Sequence, residues 1–180
     1  MAQDYFRADH TGMLREALVI AEEMTSDYFK LTQAHWLRAR FDVSTLAGLK
    51  QQEIAPDALA VVAKYHGRRA GRSLSSATFD FYRICLQDHN ILRLLTERRG
   101  LCLLSLLSYI LTHELVHIVR FSQFAVSFEA SAEERGREEQ RVHALTRNIL
   151  APLRFLDLPP AHCVIDHFHA GGAGNAHLRV

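Results

Sequence analysis

Between residues 101 and 119 nearly every position is apolar, broken by serines, Tyr109, Thr112, two histidines and one glutamate. That pattern predicts a helix buried on all sides. A second period runs through Glu139, Val142, His143, Thr146, Ile149, Leu150 and Leu153, which share one helical face. Ser131 and Glu134 have the spacing of a capping box, so this helix is expected from Ala132 to about Leu150. Near the start, Met13, Leu14, Ala17, Leu18, Ala21, Met24 and Tyr28 keep one face of a helix opening at Thr11 or Gly12 and continuing to Trp36 or Leu37. Shorter helices are predicted at 46–52 and 57–65, the second announced by Pro56. Residues 77–86, rich in β-branched and aromatic side chains, read as a strand. Asp88, His89 and Asn90 then make a turn. Residues 91–95 read equally as the second strand of a small hairpin, whose edge could pair with an extended peptide, or as a helix. Residues 67–76 read as a loop, 121–128 as an apolar connector that packs, and the glycine-rich end as a flexible tail. The expectation is an α+β fold, mostly helical, with one domain over 1–160 and a His/Gly-rich tail over 161–180.

Composition supports that outline: 180 residues, 48% hydrophobic and 23% charged, are enough for one domain with a real core. The net charge of +1 gives no field to draw nucleic acid or an anionic membrane, and Lys64, Arg68, Arg69 and Arg72 read as a solvated loop. Cys85, Cys102 and Cys163 are odd in number and widely spaced, which suggests reduced thiols in a cytoplasm. The first residues lack the basic start and apolar core of a secretory signal. The uncharged stretch 101–112 falls short of the roughly 20 residues that span a bilayer. A cytoplasmic protein with no membrane or nucleic-acid partner is therefore expected.

The candidate chemistry lies inside the buried helix, at His113-Glu114-Leu115-Val116-His117. Histidines four apart stack on one helix face, about 5–6 Å between Cβ atoms, and can share a metal ion. Glu114 projects beside them, where it could take a proton from water. Burying three ionisable groups costs several kcal/mol unless a metal or a hydrogen-bond network compensates. The bland alternative is a core helix with two satisfied histidines. A catalytic zinc takes three protein ligands, and Glu139, leading the buried stripe of the next helix, is the candidate third; otherwise it is one more surface acid. Glu133, Glu134 and Glu138 fall off the stripe among arginines and read as a solvated face. His143, one turn beyond Glu139, could orient a ligand, or could be a half-buried helix histidine.

The pentapeptide followed by a helical glutamate resembles the gluzincin class of zinc metallopeptidases. More narrowly, residues 112–152, with Val142, His143, Leu145, Ile149, Leu150 and Pro152, are similar to the third-ligand helix of ImmA/IrrE-type peptidases. The resemblance implies a zincin-like core with a small hairpin or sheet before the motif helix. It also implies Zn2+ on His113, His117 and Glu139, with Glu114 as general base. Val116 stands where that narrower family usually has glycine, and Val142-His143 where it favours alanine followed by asparagine or aspartate.

The expected activity is hydrolysis of a peptide bond in a peptide or protein substrate. Zinc would acidify a water and polarise the carbonyl, and Glu114 would carry the proton to the leaving amine. Tyr65, His66, Tyr82, Arg120 and His162 are each chemically admissible as oxyanion donor. His162, Cys163, His167 and His169 in the tail could form a second metal site or place a thiolate on the zinc, but lack paired zinc-site spacing and read more simply as a loose end. Two rivals predict other behaviour: a non-catalytic metal-binding or regulatory scaffold, and a helical interaction domain without metal.

Overall fold

The computed structural model describes residues 4–68, 78–123, 125, 131–154 and 178–179. Two antiparallel-paired strands, β2 (Ala60–Arg68) and β3 (Thr78–Leu86), form the centre of a small sheet. Strand β1 (Arg40–Ser44) adds in parallel to β3, and the two-residue β4 (Leu178–Arg179) in parallel to β2, giving the order β1-β3-β2-β4. Helices α1 (Ala8–Phe29), α2 (Gln33–Arg38), α3 (Asp88–Glu97), α4 (Leu103–Ser122) and α5 (Ala132–Leu150) complete a mostly helical α+β fold.

Helix α4 is the axis of the core. Leu106, Leu107, Leu111, Leu115 and Ile118 are fully buried in one cluster with Ala17 and Ala21 of α1 and with Val62, Ile84 and Leu86 of the sheet. The alanines of α1 let the two helix backbones approach closely. By length and composition α4 could cross a membrane, yet 83% of its apolar window is buried within the fold. The opposite face of the sheet, with Val61, Ala63 and Cys85, is covered by Leu49, Ala55 and Ala58. Those residues belong to the segment carrying two 3-10 turns, Leu46–Gly48 and Gln51–Glu53. Beyond α3, Gly100 turns the chain into α4 with φ of 86°, a conformation that strains any side-chain-bearing residue.

Several expectations need correction. Residues 57–65 are not a helix but a turn leading into β2: Leu59 to Ala63 are buried on both faces, so the strand shows no alternation and reads as a continuous apolar run. Residues 46–52 form 3-10 turns instead of a helix. The hairpin exists, but as β2–β3; residues 91–95 belong to α3. Asp88 and Asn90 lie in the first turn of α3, where Asp88 accepts from the Phe6 and Leu46 amides at 3.0 Å each. The helix expected to reach Trp36 stops at Phe29, because Lys30 adopts the left-handed conformation (φ 54°) and Leu31 N–H bonds back to the Ser26 carbonyl at 2.9 Å. Lys64 lies in β2 rather than a solvated loop and pairs with Asp80 at 2.8 Å. Most of the predicted 67–76 loop, most of the 121–128 connector and nearly all of the 161–180 tail lie outside the described residues.

Candidate metal centre

Two helices build the site. Helix α4 is apolar on every side, so its polar trio His113, Glu114 and His117 is buried with it, each residue no more than 4% exposed. Helix α5 begins at the capping box expected from the sequence: Ser131 Oγ accepts from Glu134 N–H at 3.3 Å, and Glu134 accepts from Ser131 N–H at 2.8 Å. From that start the apolar stripe packs α5 onto α4. Val116 meets Val142 and Ile149 in a fully buried cluster, so two positions that depart from the ImmA/IrrE pattern lie at the same contact. Directly beside them stand His117 and His143.

This packing brings Glu139 to the two histidines. His113 Nε2 is 2.8 Å from Glu139 Oε1, His117 Nε2 is 3.3 Å from Oε2, and the two Nε2 atoms are 3.1 Å apart. Donors at about 2.0–2.1 Å from a tetrahedral zinc lie about 3.3–3.4 Å from one another. The observed separations match that edge closely enough for all three groups to hold one ion. His143 Nε2 lies 3.3 Å from Glu139 Oε1, while its Nδ1 is 2.9 Å from the Tyr109 hydroxyl. The donor atoms of His113, Glu139 and His143 also lie within 4.8 Å of one another.

The electrostatics separate the two carboxylates. Burial alone would raise the Glu139 pKa, but the imidazoles of His113 and His117 outweigh it and hold the group well below the usual carboxylate range. Glu114 goes the other way. Burial pushes its carboxyl up to about 7, with His113 opposing and Glu139 reinforcing the shift. Its Oε2 is buried and accepts no hydrogen bond among the described residues. One carboxylate is thus kept ionised as a donor, and the other is poised to gain or lose a proton near neutral pH.

The sequence did not reveal two further contributors. Tyr109 lies one turn before His113 on the same line of α4, a spacing that could have flagged it. Glu138, expected on a solvated face, is instead largely buried and forms a two-point ion pair with Arg120, whose second contact, from NH2 to Oε2, is 2.9 Å. That pair ties the end of α4 to α5 beside Glu139. Among the oxyanion candidates, Arg120 is therefore engaged with Glu138, Tyr65 donates to the buried Glu53, and His66 pairs with Asp80 at 3.0 Å. Tyr82 is buried in the main core, with Lys64 Nζ 5.8 Å from its ring centre. His162, Cys163, His167 and His169 lie outside the described residues. No protein-family model, curated protein or solved structure matches the chain.

Proposed function

We propose that the chain is a zinc-dependent peptidase whose centre is His113, His117 and Glu139, with Glu114 as the general base. The supporting observation is the convergence of three donor atoms at 2.8–3.3 Å beside a buried carboxyl. When bound, zinc supplies Lewis-acid chemistry, polarising a carbonyl and lowering the pKa of water to about 7. Glu114, its own pKa raised to about 7, is matched to accept a proton at neutral pH and return it to a leaving amine. Glu139 stays ionised and shares its two oxygens between the histidines, which fixes both rings. Arg120 and Glu138 hold the two helices in register so that this arrangement persists. The zincin-like reading of the core belongs to the same proposal.

Replacing Glu114 with Gln is expected to leave bound zinc unchanged and to reduce hydrolysis of a fluorogenic peptide library by about 10²–10⁴-fold, the usual worth of a positioned base. Wild-type activity in a zinc-loaded E114Q protein would rule out the mechanism. A second reading, a metal-binding scaffold without catalysis, is favoured by enclosure: the His113, His117 and Glu139 side chains are only 3%, 1% and 15% exposed. That reading requires the fold to depend on its ion, whereas a peptidase centre does not.

A further inference from the structure

We infer that His143 is a fourth ligand of this centre, so that the resting site is closed by three imidazoles and one carboxylate; the inference rests on reading His113, His117 and Glu139 as metal ligands. Glu139 Oε1 stands between two imidazole nitrogens, 2.8 Å from His113 Nε2 and 3.3 Å from His143 Nε2. The rings of His113 and His143 are 4.6 Å apart between centres, and the His143 side chain is only 8% exposed. His143 is also one helical turn from Glu139, so the same backbone that delivers the carboxylate delivers the ring. Its Nε2 is therefore a fourth nitrogen or oxygen donor gathered around one carboxylate.

Tyr109 decides how that nitrogen is used. A neutral imidazole carries one N–H, and the tyrosine hydroxyl 2.9 Å from Nδ1 can either donate or accept. With the hydroxyl donating, the proton sits on Nε2, and His143 merely hydrogen-bonds Glu139. With the hydroxyl accepting, the proton sits on Nδ1 and the Nε2 lone pair faces the centre. A divalent cation repels an N–H directed at it and attracts a lone pair, so metal binding selects the second tautomer. Four ligands complete a tetrahedral ion, whereas hydrolysis needs an open position. His143 must then be the ligand that yields, since it is held from behind by Tyr109 and keeps that partner on release.

The test uses Co2+ as a visible probe in the full chain, comparing wild type with His143→Ala and His143→Gln. Metal affinity alone does not discriminate, because loss of a residue that only orients a ligand also costs about 10–100-fold. The decisive reading is the cobalt absorption spectrum during an azide titration. The wild-type spectrum is expected to stay unchanged at azide concentrations that saturate the variants, and the variants to differ from wild type before azide is added. A wild-type spectrum that responds to azide as the variants do places His143 outside the metal's shell and overturns the inference while leaving the three-ligand reading intact. That arm needs no variant to fold. Failure of folded wild-type protein to take up Co2+ or Zn2+ overturns both.

Discussion

At neutral pH the Glu114 carboxyl is half protonated, because burial lifts it from the ordinary 4.5 to about 7. The folded protein thus holds this proton more tightly than the unfolded chain does. Its contribution to stability is complete below about pH 4.5 and is lost as pH rises through about 7. A shift of this size corresponds to about 3 kcal/mol. Metal-free wild type is therefore expected to lose about 3 kcal/mol more than metal-free Glu114→Gln between pH 5 and pH 8, by urea unfolding. Equal losses in the two proteins would show that the carboxyl is not desolvated. The pentapeptide and Glu139 were legible at this scale because helical spacing alone fixes which side chains can meet. Tyr109 was not, since a tyrosine in an apolar helix looks like core until its hydroxyl partner is known.

The two ligand helices depend on their contact more than on their individual propensities. Arg120 and Glu138, with side chains 12% and 10% exposed, join them beside the site. Glu138→Ala leaves a largely buried guanidinium without its carboxylate and is expected to cost about 3 kcal/mol, with Arg120→Met on top recovering most of it. An effect below about 0.5 kcal/mol in the same unfolding measurement would mean that Glu138 behaves as the surface acid its sequence position suggests. Helices α4 and α5 were readable because one is apolar all round and the other carries a capping box and a single stripe. Strand β2 was not, because covering on both faces removes the alternation that marks a strand and leaves Ala-Leu-Ala-Val-Val, which reads as well as a helix. Strand β1 escaped notice for the opposite reason: five residues with one charged or polar side chain at every other position carry too little apolar signal. Glu138 was misplaced because its partner lies on another helix, where sequence spacing carries no information.

The whole molecule has a core that does not pass through the metal centre: α1, α3, α4 and the sheet share one buried cluster. Removing an ion from such a protein is expected to lower its melting temperature without unfolding it. A free ion at about a thousand times its dissociation constant contributes about 4 kcal/mol, or about 10 °C for a domain of this size. A cooperative melt shifted by that amount on chelation favours the peptidase reading, and complete unfolding at room temperature favours the scaffold. The most direct measurement is the metal content of the purified protein beside its Glu139→Ala variant. One zinc per wild-type chain and a loss of at least about tenfold in affinity for the variant is the expected result. Wild-type protein without metal, or a variant that binds it equally well, would contradict the convergence of His113, His117 and Glu139 on a single ion.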